Sequence, residues 1–128
     1  MEFITKEPKK GDIIKVLISN NIYHYGIYLG DDQVIEYGSA KDFLNAKKEE
    51  VKVQISSMDS FLNGKNILVA KLGLLEKMKR NSVEKTIELA KARIGEAKYD
   101  PIENNCEHFV NECVFNKHYS SQAEVYKK

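Results

Sequence analysis

Apolar positions along this chain change their period near Asn81: before it they come in short alternating or β-branched runs, and after it they recur at helical spacing. "KKGDIIKVLIS" (Lys9–Ser19) reads as a turn followed by a strand. "NNIYHYGIYLG" (Asn20–Gly30) reads as a turn pair and a second strand, and "QVIEYGS" (Gln33–Ser39), after Asp31-Asp32, as a third. Strands joined by such short turns predict an antiparallel meander. "VKVQISS" alternates Val51, Val53 and Ile55 with Lys52, Gln54 and Ser56, the period of a half-buried strand. "KNILVAKLG" is a further short strand. The polar "AKDFLNAKKEE" reads as a loop or a short helical turn, and "SSMDSFLNG" closes in a turn at Asn63-Gly64.

"NSVEKTIELAKARIGEAKYD" is the clearest helix. Asn81 or Ser82 can cap it, Glu84 stands three residues after Asn81 in the capping-box relation, and Val83, Ile87, Ala90 and Ile94 share a face up to Gly95. Pro101 makes "YDPIENN" a loop. A second helix begins behind Asn105 and carries Phe109, Val110, Cys113 and Val114 on its apolar face. The polar "SSQAEVYKK" predicts a flexible tail over 118–128. Strands first and helices after indicate an α+β fold, an antiparallel sheet of about 4–6 strands packed against helices. A single domain is expected over 1–128, with its core at 9–117.

Composition narrows the chemistry. Twenty Lys+Arg against 19 Asp+Glu leave a net charge of +1, so no field points to nucleic acid. No run approaches the roughly 20 apolar residues that cross a bilayer. "MEFITKEPKKGD" lacks the apolar segment of a signal peptide, so a cytoplasmic location is expected. One stretch, "KLGLLEKMKRN", mixes leucines with basic residues in the way of a membrane-interface element, and any peripheral membrane contact is expected through 71–80. Cys106 and Cys113 on one helix are about 10 Å apart, beyond disulfide reach, so both are expected as free thiols. Histidine and cysteine positions this scattered fall short of a metal set, and neither a metal nor another cofactor is expected.

Cys106 is either a small hydrophobe opening a core helix or a nucleophile. Its position favours the second. With Asn105 as N-cap, Cys106 takes the first helical position, where unsatisfied N–H groups and the helix dipole favour a thiolate. The same N–H groups, that of Cys106 included, suit an oxyanion in acyl transfer. Cys113, two turns on, is packing. Of the three histidines, His108 lies about 200° around the helix from the thiol and His118 lies beyond the apolar pattern. His24, inside "IYHYGIYLG", is an ionisable group among large apolar residues. It is either a core histidine satisfied by a carbonyl or the base that Cys106 needs. Glu36 on the next strand is the candidate that orients it. The two share a sheet face only if the hairpin has an odd-numbered turn or a bulge, since a regular two-residue loop at Asp31-Asp32 puts them on opposite faces.

"NNCEHFVNE" resembles the cysteine box of the lecithin:retinol acyltransferase-like family, which includes the H-Ras-like suppressor phospholipid acyltransferases. "KKGDIIKV…IYHYGIYLGDDQVIEYG" is similar to its histidine block, and "VEKTIELAKARIGEAKYDPIENNCEHF" matches in spacing and content. The resemblance covers roughly Lys9 to Lys117. It implies a circularly permuted papain-like fold, related to NlpC-type cell-wall peptidases, with a catalytic cysteine at a helix N-terminus. It also implies that Cys106 forms a thioester acyl-enzyme with His24 as its base. Two features depart from the pattern. Glu36 stands where the phospholipid-acting members usually carry a second histidine, and a carboxylate there raises the imidazole pKa. "NKHYSSQAEVYKK" is polar where membrane-anchored members are hydrophobic.

The expected function is therefore that of a cysteine acyltransferase or acyl hydrolase, with a phospholipid or related acyl ester as substrate. A thiol amidase or peptidase acting on a peptide or isopeptide bond, and a non-catalytic interaction module, are the rivals. An apolar channel beside the thiol suits the first, and an open groove with polar edges suits a peptidase.

Overall fold

A computed structural model of the protein describes residues 1–40, 42 and 50–127. Its strands are β1 (Glu2–Ile4), β2 (Ile13–Ser19), β3 (Ile22–Gly30), β4 (Gln33–Tyr37), β5 (Val53–Ser57) and β6 (Leu68–Lys71). Its helices are α1 (Met58–Leu62), α2 (Leu74–Lys79), α3 (Val83–Lys91), α4 (Cys106–Phe115) and α5 (Ser121–Lys127). The strands form one antiparallel sheet in the order β1-β6-β2-β3-β4-β5. The fold is α+β, as the order of apolar periods predicts.

The β3–β4 hairpin settles the parity question. Its loop is the regular two-residue Asp31-Asp32, both residues at positive φ (51° and 59°), a conformation whose twist matches the strands it joins. Gly30 pairs with Gln33, but from Tyr28 inward the register shifts and Gly26 pairs with Glu36. Leu29 is thus the extra residue of a bulge, and the bulge turns Glu36 to the face of His24.

That face carries Ile14, Val16, Val34, Val69 and Phe61 of α1. The other face packs Ile13, Tyr25, Ile27, Ile35, Tyr37 and Val53 against Phe109, Val110, Cys113 and Val114 of α4. Both faces of β3 are covered, which is why "IYHYGIYLG" shows no polar alternation and why His24 is fully buried. α4 is held at its far end by Asn81, whose backbone N–H donates to Val114 O and whose side-chain amide donates to Cys113 O.

Several elements differ from the sequence pattern. Asn81 is thus committed to α4, and Ser82 caps α3 instead, its hydroxyl accepting from Lys85 N. Ile94 lies beyond α3 and is half exposed. "SSMDSFL" holds the short helix α1 ahead of the Asn63-Gly64 turn, capped by Ser57 and anchored by buried Phe61. Five residues are too few to show a helical period. "MEFI" adds the edge strand β1 on β6. Residues 121–127, expected as tail, form α5. Most of the segment between β4 and β5, read as a loop or helical turn, lies outside the described residues.

Candidate active site

Asn105 prepares the start of α4. Its Oδ1 accepts from the backbone N–H of Glu107 (2.9 Å) and of His108 (3.0 Å), while its own N–H donates to His108 Nδ1 (2.9 Å). His108 therefore completes a capping box in the place of the usual Glu or Gln. It is buried and stacks on His118 with ring centroids 4.2 Å apart. It points away from the thiol, as its angular position suggests, and serves the helix cap. The Asn105 amide donates to Pro101 O and to Ser120 Oγ, both at 2.9 Å, tying the cap to the preceding loop and to the segment before α5. His118 is half exposed and pairs with Glu112.

Cys106 follows this cap. Its Sγ lies 4.0 Å from the carbonyl of Tyr23, the residue before His24. His24 Nε2 meets Glu36 Oε1 at 2.7 Å, with both side chains fully buried. Burial disfavours the charged imidazole, but the neighbouring Cys106 and the Glu36 carboxylate that accepts from it outweigh this and raise its pKa to about 9. Cys106, His24 and Glu36 thus form one connected line from helix to sheet. Phe61 closes the far side of the imidazole at a centroid distance of 5.3 Å. Cys113 has no such partners, and burial pushes its thiol up to about 12. Both cysteines are free.

Of this line, Cys106 borders a cavity. A space of about 990 Å³ opens beside Cys106, with Ile22, Tyr37, Val51, Ile102 and Val125 among its walls and Asn20, Asn21, Ser39 and Asp42 at its polar parts. Among the described residues no group of acidic, histidine or cysteine side chains could hold a metal ion.

Residues 6–119 match the family model of lecithin retinol acyltransferase. The chain belongs to that family. Lecithin retinol acyltransferase from Mus musculus is 30% identical over 138 residues, covering 91% of this chain and 58% of the relative. The Bos taurus protein of that name is 27% identical over 136 residues. Human phospholipase A and acyltransferase 4 is 28% identical over 131 residues, covering 95% of this chain and 79% of that protein. The chain spans about three fifths of the length of the lecithin retinol acyltransferases it matches.

Within this family member, two participants escape a reading of the sequence. Tyr99, from the "YDPIENN" loop, lines the cavity together with Cys106, and burial and the neighbouring Cys106 raise its pKa. Gln54, the polar half of an alternating strand, donates to Glu36 Oε2. Neither carries a local signal: Gln54 is made relevant by Glu36, 18 residues earlier, and Tyr99 by the fold of the loop that returns it to Cys106.

Proposed function

We propose that this chain is a cysteine acyltransferase or acyl hydrolase that carries an acyl group as a thioester on Cys106. The observation that carries the reading is the buried line Cys106–His24–Glu36 ending at a cavity with apolar walls. His24 takes the thiol proton, and the sulfur attacks the carbonyl carbon of an ester. A C–S bond forms as the carbonyl electrons move to oxygen. Collapse of that oxyanion breaks the C–O bond, and the imidazolium protonates the leaving alkoxide. Water, an alcohol or an amine, deprotonated by His24, then attacks the thioester and frees the sulfur. Glu36 keeps the imidazole aligned and favours its charged form. The backbone N–H of Cys106, at the start of α4, contributes to holding the developing oxyanion.

The apolar walls beside the thiol support an acyl ester, in the phospholipid class, over a peptide. The names of the relatives support the same substrate class. Ile102 and Val125 are exposed where they border the cavity, which supports entry of a lipid from that side. Contact with a lipid surface through 71–80 has separate support: Leu74, Leu75 and Met78 on α2 are 76%, 68% and 73% exposed beside Lys77 and Lys79. Asn81 ties this region to Cys113 and Val114 near the C-terminal end of α4, whereas Cys106 is at the other end, about 10–12 Å along the axis. Such a contact would tether the protein and leave substrate entry to the cavity mouth.

Intact-mass spectrometry after incubation with mixed phospholipids tests the reading. An acyl mass gain that maps to Cys106, and is absent in Cys106→Ala, is expected. Unchanged lipid turnover by Cys106→Ala would sink the mechanism.

A further inference from the structure

The Glu36 carboxylate has two oxygens, and His24 takes only one of them. The other, Oε2, accepts the side-chain amide of Gln54 at 3.2 Å. Strand register creates this contact: Gln54 stands directly opposite Glu36 across β4 and β5, and so on the same face. The position opposite Glu36 on β3 is Gly26, which offers no side chain to the carboxylate. Glu36 is fully buried, and a buried carboxylate needs donors on both oxygens. The Gln54 amide nitrogen also reaches Ser56 Oγ at 3.4 Å. The reversed amide would set its oxygen against the carboxylate, so the donor end is directed to Glu36.

We propose that Gln54 is a positioning residue of this site, fixing the Glu36 carboxylate so that Oε1 meets His24. It touches neither thiol nor substrate and acts through Glu36 alone. The terminal torsion of a glutamate is soft, so without a second anchor the carboxylate turns away from the ring. An amide anchors it without adding a positive charge, and the imidazole keeps its role as the cation paired with Glu36. The proposal rests on the reading above only in taking Cys106 as the reactive thiol.

The test is the rate of Cys106 alkylation by iodoacetamide in the full chain at neutral pH, with the modified site read by peptide mass mapping. It needs no acyl substrate. Gln54→Leu should slow Cys106 about tenfold, in line with loss of a hydrogen bond to a charged group. Gln54→Glu keeps the size but replaces the donor with a second carboxylate, and should slow it further. Gln54→Asn keeps an uncharged amide donor on a shorter arm and should recover part of the rate lost in Gln54→Leu. In a Glu36→Gln background, Gln54→Leu should change the rate by less than about twofold, because the carboxylate it anchors is gone. Rapid labelling of Cys113 marks any variant that has unfolded, since that thiol packs in the core, whereas Cys106 borders the cavity.

An equal slowing in both backgrounds, or parental reactivity in Gln54→Glu, overturns the proposal. Equal labelling of Cys106 and Cys113 in the parent overturns it together with the thiol assignment. An intact cycle in a protein that transfers no acyl group supports Gln54 and overturns the proposed function alone.

Discussion

The imidazole of His24 is the residue on which this site turns. Burial alone would leave it neutral, and Cys106 and Glu36 reverse that outcome. Folding raises the pKa of this group from 6.5 to about 9. Its contribution to stability is therefore fully present below about pH 6.5 and is lost as pH rises through about 9. The urea midpoint of the parent chain should fall between about pH 7 and about pH 10, and that of Glu36→Gln should start lower and fall less. Identical slopes for the two proteins would show that the carboxylate does not hold the proton on His24. His24 and Glu36 could be read in the sequence because an ionisable group inside an apolar strand demands a reason. Gln54 could not, since a polar residue in an alternating strand is ordinarily solvent-facing.

Among the elements, the β3–β4 hairpin does most to assemble the site. Two positive-φ aspartates make the regular turn, and the bulge beside it supplies the odd residue that brings Glu36 to His24. The sequence poses this as a choice between turn and bulge, and only the ladder shows which was taken. Gly26 sits at the centre of that ladder for want of space. A Cβ there would lie 2.7 Å from Val34 Cγ1 and 2.8 Å from Phe61 Cε1, and Phe61 packs on the His24 ring. Gly26→Ala should destabilise the protein by about 1–3 kcal/mol, the usual cost of overpacking a core. A thermal midpoint equal to that of the parent would mean that α1 yields freely.

Across the whole molecule, α5 joins the two ends of the chain's logic. Glu107, next to the nucleophile, is buried and accepts from Ser120 Oγ (3.0 Å), Ser121 Oγ (2.8 Å) and Gln122 N (3.2 Å). Gln122 in turn accepts from Tyr23 N at 2.6 Å and donates to Tyr23 O at 3.3 Å, clasping the strand residue beside His24. α5 thus becomes a wall of the cavity through Gln122 and Val125. Glu107→Gln should cost about 1–3 kcal/mol. It should also speed amide exchange across Ser121–Val125 while β3 and β4 stay protected. Unaltered exchange there would show that the apolar contacts of Ala123 hold the helix without the carboxylate.

The strands β2 to β6 and the meander of the first three of them, the two principal helices, the cap at Asn105 and the distinction between Cys106 and Cys113 were all written in local pattern. Each depends on residues within a turn or two of one another, where spacing and capping chemistry operate. The short elements β1 and α1 lack the length for a period to show. The polar segment that becomes α5 looks like tail because its partners, Glu107 and Tyr23, lie elsewhere in the chain. Tertiary structure alone decided that Leu29 is bulged, that Gln54 donates to Glu36, and that α5 lines the cavity. Those outcomes are set by register and burial, which bring together residues that local spacing cannot relate.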